Sequence, residues 1–474
     1  MSQPSKPPFA PTPTDHLWEQ LISFEKITPG PMPRQLRQQG RSCFQKDYDR
    51  IIYASAFRRL GDKTQIIPLP GNDFVRNRLT HSLEVSSVAR SLGEMVWAKL
   101  EVQQPEHPLV RKIASHDLGA AIAAASLAHD IGNPPFGHFG ESAISDYFKT
   151  HQHLLSGLSA GEQADLLDFE GNATGFRILA HTPPAISGVP GGFHLTLTTL
   201  AAFCKYPKES LPIQSNAVCQ QKYNAFQTEL PTLNTLARQL GLRQLSQQPL
   251  SFSRHPFAFL VEAADDICNV IIDFEDGNKI GRIPDQALLE NFHQLATRPD
   301  GGNGLDDSLY RKCYLHAEKA SYLRVKAIHQ LIELISDLFL AHEAELLAGT
   351  YTRSLLTDLP PLQAKALDDM FRLTDEYVYS YEPVIEIELA GHSVINGLLR
   401  TLIEEMYLNR GTKRAERLKK LIPEQYFRSL GRDWFESDYD NYLNLACFVS
   451  DMTDSYALNL YRKLCGIDLP RLFR

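Results

Sequence analysis

The chain has no run of eighteen apolar residues, and the stretch from Leu118 to Ala128 is too short and too alanine-rich to cross a bilayer. An excess of basic charge is also missing. Its 48 Lys and Arg face 56 Asp and Glu, a net charge of −8, which excludes a protein that coats nucleic acid through a basic face. Cysteine is sparse: seven residues stand singly with no CxxC, an odd total that fits neither a disulfide framework nor a zinc ribbon. Heptads and internal repeats are absent, which removes coiled coils and solenoids. The N-terminus lacks the apolar core of a signal peptide. Pro4, Pro7, Pro8, Pro11 and Pro13 make residues 1–40 read as a proline-rich disordered tail. The expected compartment is the cytoplasm.

What is present is ordinary globular composition, 43% hydrophobic and 22% charged, over 474 residues, room for two or three domains or one large helical one. The stretch SLAHDIGNPPFGHFGES, 126–142, organises the rest. An alanine-rich helical run delivers His129 and Asp130, and Gly132-Asn133-Pro134-Pro135 then breaks it. Beyond the break His138 and Glu141 are spaced to share a helical face. A second pair, His116-Asp117, precedes the same run and reads as an ordinary helix start.

Three more segments bear on this stretch. Arg78-Leu79-Thr80-His81 opens a long amphipathic helix. In HPFAFLVEAADDICNVIIDFEDG the polar Asp265, Asn269 and Asp273 recur every fourth residue on one face of a buried helix. Acids in a helix this apolar are costly unless paired or bound to a cation. Arg58, Arg59, Arg76, Arg78, Lys205 and Lys222 flank these motifs and offer a local positive pocket for a small anion.

His81, His129, Asp130 and Asp265 come from three helices that packing can bring to one point. Two neutral imidazoles and two carboxylates suit Mn²⁺, Fe²⁺, Co²⁺ or Mg²⁺ better than zinc. Such an ion acidifies water and polarises phosphoryl oxygens, and His138, oriented by Glu141, is placed to move a proton. The expected class is metal-assisted hydrolysis of a phosphoester.

DYDRIIYASAFRRLGDKTQ, RNRLTHSLEV, AHDIGNPPFGHFGES, HPFAFLVEAADDI and SDMTDSYA resemble the HD-domain metallophosphohydrolases, and among them the bacterial deoxyguanosine triphosphate triphosphohydrolases. The similarity runs from about Gln45 to Tyr461. It implies an all-α HD-domain fold with added C-terminal helices, a homo-oligomer, commonly a hexamer, and release of deoxynucleoside and intact tripolyphosphate. It puts metal ligands at His81, His129, Asp130 and Asp265, and the catalytic pair at His138 and Glu141. Gln65 falls on a deoxyribose contact and Asp273 on the 3′-hydroxyl contact. Arg78, Lys205, Tyr206 and Lys222 fall on phosphate contacts. One position departs: the family's D-x-x-x-Y has Asn269 in place of tyrosine. A shorter side chain there leaves a gap beside the sugar and offers an amide to a 2′-hydroxyl. Other HD substrates, such as a nucleoside monophosphate or a cyclic nucleotide, and a nucleotide sensor without turnover are the alternatives. Base preference, native metal, effector and oligomer size are left open by the sequence, as is any nucleic-acid or nucleotide effector.

The expected domains are the 1–40 tail, a metallohydrolase core over 41–296, and a helical region over 309–474 that completes the active site or an oligomer interface. The break between the last two is the loop Thr297–Ser308. Helices are expected over 314–348, 383–407 and 441–464.

Overall fold

The computed structural model describes residues 13–27, 41–66, 76–180, 192–215, 217–298, 307–429 and 431–467. The turn expected at 71–73 and most of the loops at 182–193 and 297–308 lie outside these residues. The architecture is all-α. The strands among the described residues are Gln244–Gln247 and Leu250–Phe252, an antiparallel hairpin that helical periodicity did not anticipate.

Three helices hold the centre. Arg78–Gln103 is fixed at its start by Asn77, whose side chain and that of Thr80 cap each other's backbone. Ser115–Leu127 lies against it at a close crossing, where a Cβ on Gly93 would stand 3.3 Å from the Gly119 Cα. The Ser86 hydroxyl donates to the Ala123 carbonyl across this contact, and the alanines let the backbones approach. Pro256–Lys279 crosses both, and its Phe257, Leu260, Val261, Ala264, Ile267 and Ile271 are fully buried. Each large apolar side chain among them contributes roughly 1.5–3 kcal/mol by leaving water.

Several expectations change. The tail is partly ordered: Pro13–Leu21 is a helix whose Trp18 is buried against Phe257 and donates to Glu343. Buried aromatic area outweighs the prolines around it. Ile51, Ile52, Ala56 and Leu60, which share the spacing of a single helix, fall on or beside two, Cys43–Ile52 and Ser55–Arg59, because Ala54 is extended between them. The helix expected over 441–464 likewise breaks into Asp438–Ser450 and Asp454–Leu464, with Thr453 capping the second.

The hydrophobic core does not divide at 297–308. One cluster joins apolar residues of Pro13–Leu21, Arg78–Gln103, Ser115–Leu127 and Pro256–Lys279 to those of His316–Ala341 and Pro361–Thr374, so the region after 297–308 packs on the helices before it. A second cluster joins Phe136, Ala143–Phe169 and Phe226 to Val394–Ala457. The stretch 131–136 runs along their seam, with Ile131 in the first and Phe136 in the second.

Candidate metal centre and active site

The turn after Ser115–Leu127 is made by short backbone bonds, from the His129 amide to Ser126 and from the Asn133 amide to Asp130. Phe136 and Gly137 then take positive φ, 63° each, and His138 starts the helix His138–Thr150. A phenylalanine in that conformation is strained and must be held from outside. Asp454 does this, accepting the Phe136 amide at 2.9 Å. The same carboxylate accepts the Thr64 amide at 2.9 Å and the Thr64 hydroxyl. The Phe136 ring lies on Gly391, where a Cβ would come within 2.6 Å of it.

His81, His129 and Asp265 meet as the reading of the three helices expected. The Nε2 atoms of His81 and His129 stand 3.3 and 3.2 Å from Asp265 Oδ1, and one ligand atom from each residue lies within 4.8 Å of the others. The Ser126 carbonyl holds His129 Nδ1 at 2.8 Å, so that nitrogen carries the proton and Nε2 presents a lone pair. This Nε2 is buried without a hydrogen-bond partner. A lone pair 3.2 Å from a carboxylate oxygen repels it unless a cation or proton lies between. The donor set therefore fits a divalent ion.

Asp130 stands beside this group and is engaged elsewhere. Arg78 donates to its Oδ2 at 2.5 Å and Asn133 to its Oδ1 at 2.6 Å, while Oδ1 lies 3.5 Å from His129 Nε2. Burial works against the Asp130 carboxylate, but Arg78 and both imidazoles overcome it and hold its pKa below the usual range. Burial also opposes charge on Asp265, and His129 and the ion pair with Lys205 outweigh it. On His129 burial is likewise outweighed, by Asp265 and Asp130, which raise its pKa.

Beside the group, His138 donates from Nδ1 to Glu141 at 2.7 Å. The His138 side chain is largely exposed, while Glu141 is buried behind it. Burial raises the Glu141 pKa less than the bond and charge of His138 lower it. Glu141 also accepts the Gly171 amide at 2.8 Å.

With the exception of Glu141, the expected site residues line a single cavity of about 1020 Å³, which takes in Gln65, Arg78, His138, Lys205, Tyr206, Lys222, Asn269 and Asp273 as well as the metal group. Lys222 pairs with Glu170 at 3.5 Å, and Tyr206 lies under Arg254. The expected positive pocket is narrower than six residues. Arg76 is spent on Glu84, Glu275 and Asp276, Arg59 on Asp451, and Arg58 on the Tyr53 carbonyl. The second His-Asp pair, His116-Asp117, stands apart with its imidazole exposed.

Asn269 corrects the expectation of a free amide. Its Nδ2 donates to Asp265 at 2.9 Å, and its Oδ1 accepts from Gln65 at 3.1 Å. Sequence reasoning missed four further groups: Asn133, Glu170, Arg254 with Glu262, and Tyr379. Tyr379 ends a π turn, Asp375–Tyr379, and donates to Asp273 at 2.6 Å. Burial pushes the Asp273 carboxyl up to about 7 against that bond.

An HD-domain family model matches residues 78–182. A deoxyguanosinetriphosphate triphosphohydrolase-like protein of Synechocystis sp. is 39% identical over 95% of this chain and 100% of its own length. One from Pseudomonas aeruginosa is 34% identical over 96% and 99%. A protein of Salmonella schwarzengrund named deoxyguanosinetriphosphate triphosphohydrolase is 28% identical over 90% and 94%. Among the described residues no helix is long and apolar enough to cross a membrane, and all seven cysteines are free.

Proposed function

Since the chain belongs to the family of deoxyguanosinetriphosphate triphosphohydrolase-like proteins, which are HD-domain hydrolases, we propose that it hydrolyses deoxynucleoside triphosphates, dGTP among them, to deoxynucleoside and tripolyphosphate. The observation that carries this is the meeting of two imidazoles and a buried carboxylate in one cavity with His138 and three cations.

In this reading His81, His129 and Asp265 hold a divalent ion, Mn²⁺, Mg²⁺, Co²⁺ or Fe²⁺, with Asp130 as fourth ligand. When bound, such an ion would neutralise phosphate charge and acidify water. Arg78, Lys205 and Lys222 bind the anionic chain, with Tyr206 beside them. Gln65 and Asp273 contact the sugar. His138 keeps its Nδ1 proton on Glu141, so its Nε2 takes a proton from water or gives one to the leaving 5′-oxygen. The same proposal places the protein in the cytoplasm as a homo-oligomer, up to a hexamer.

The test is chromatography of the products from each dNTP with the Mn²⁺-loaded protein, in ¹⁸O-labelled water. Label is expected in tripolyphosphate and none in the deoxynucleoside. Labelled nucleoside, or pyrophosphate as first product, overturns the reading.

A further inference from the structure

One wall of the cavity is built by Gln65, Asn269, Asp273 and Tyr379. It carries two buried oxygens without a hydrogen-bond partner, Oε1 of Gln65 and Oδ1 of Asp273. Neither has a partner within the protein, and both line the cavity, so each offers an acceptor to a hydroxyl that enters it.

The orientation of Gln65 follows from its neighbours. The Asp265 carboxylate can only accept, so Asn269 must turn its amide nitrogen to it, at 2.9 Å. The carbonyl oxygen of Asn269 then faces Gln65, which must present its own nitrogen, at 3.1 Å. Gln65 is left with its carbonyl oxygen free as an acceptor. Asn269 thus sets the polarity of the wall from the metal group outward. Asp273 stands one helical turn further along, with its other oxygen already taken by Tyr379.

We propose that this wall is a site for a vicinal diol, so that ribonucleoside triphosphates are hydrolysed alongside deoxyribonucleoside triphosphates. The inference rests on the triphosphohydrolase reading. One hydroxyl carries one proton and satisfies one acceptor. Two unpaired acceptors on one wall are matched by the 2′- and 3′-hydroxyls of ribose, whereas 2′-deoxyribose brings only the 3′-hydroxyl to it. Asn269 is the specificity-determining residue: its side chain is short enough to leave room over C2′, and its two hydrogen bonds keep the Gln65 oxygen turned to the sugar.

The experiment is kcat/KM for dGTP and GTP on the full-length protein with Mn²⁺ at pH 8, with tripolyphosphate measured as product. GTP is expected within about tenfold of dGTP, since the wall supplies an acceptor for each hydroxyl. A GTP value more than about tenfold below dGTP overturns the proposal. In Asn269→Leu, close in size but unable to orient Gln65, the GTP to dGTP ratio should fall by about tenfold or more. A ratio unchanged by this variant removes Asn269 from specificity. Should that variant be inert or unfolded, the ratio is read in Gln65→Leu, where the same fall is expected and an unchanged ratio is again contrary. If neither nucleotide is hydrolysed by the natural protein, the triphosphohydrolase reading fails, and the diol site is judged by binding. A thermal shift from GTP at least as large as that from dGTP supports it, and a smaller one overturns it.

Discussion

Asp265 and Asp266 adjoin on one helix and meet different partners. Asp265 faces both imidazoles, whereas Asp266 reaches the Ser354 hydroxyl at 3.5 Å and is pushed up to about 7 by burial and Glu262. Asp265→Ala should abolish Mn²⁺ binding measured by electron paramagnetic resonance, while Asp266→Ala should keep it. The reverse result would put the wrong carboxylate at the centre. His138 touches none of the three clustered groups, so His138→Ala should keep Mn²⁺ affinity and lose roughly two to four orders of magnitude in kcat. Equal loss of metal and turnover would make it structural. These residues were legible because acids and imidazoles on apolar helices break the pattern around them. Tyr379 was not, because a phenol in DEYVYSY breaks nothing until a π turn aims it at Asp273. Glu170 was hidden likewise, as one acid in a polar stretch whose burial only the fold creates.

Among the elements, Gly171–Ala180 reaches the active turn through glycines. A Cβ on Gly132 would stand 2.1 Å from the Gly175 amide, and one on Gly171 would stand 2.4 Å from Asn133 and 2.6 Å from Glu141. Asn133 holds Asp130 and Glu141 holds His138, so one added methyl presses on both supports. Gly171→Ala should lower kcat by at least the tenfold expected of a misplaced proton shuttle and cost about 1–3 kcal/mol in denaturant melts. Full activity would show that the turn yields freely. Pro256–Lys279 carries a different dependence at its start. His255 accepts the Phe257 amide on Nδ1 at 3.1 Å and donates from Nε2 to the Leu21 carbonyl at 3.1 Å, so it must be neutral. Burial lowers its pKa to about 4 from an ordinary 6.5. Between these values the unfolded chain binds a proton that the folded one refuses, so stability present above 6.5 is lost as pH falls toward 4. The loss is at most about 3 kcal/mol. His255→Asn, which caps without titrating, should flatten Tm against pH over that window, and an unchanged slope would assign the acid sensitivity elsewhere.

Across the whole molecule, helical class and the central crossing were readable from periodicity, but the partition of the core was not. The loop at 297–308 marks a break in sequence, and apolar faces on both sides of it still found each other. Such pairing depends on distant shape, which no local pattern records. The seam between the two clusters is tied by polar groups. Lys63 donates to the Asn133 carbonyl at 2.5 Å and the Ser450 carbonyl at 2.8 Å, and Asp454 holds Thr64 and Phe136. Asp454→Ala leaves these buried donors unpaired, at about 1–3 kcal/mol each. It should lower Tm and turnover while the far-ultraviolet circular dichroism stays helical, and unaltered turnover would show that Phe136 holds its conformation alone. This tie joins residues 390 positions apart, which has a consequence during synthesis. At about 5–20 residues per second a ribosome takes roughly 20–80 s to pass from Thr64 to Asp454. Once Asp265 has been made, the growing polypeptide owns both imidazoles and that carboxylate, but Asp454, which holds the turn ahead of His138, is still to come. A chain that ends before Asp454 therefore lacks the partner of the Thr64 and Phe136 amides.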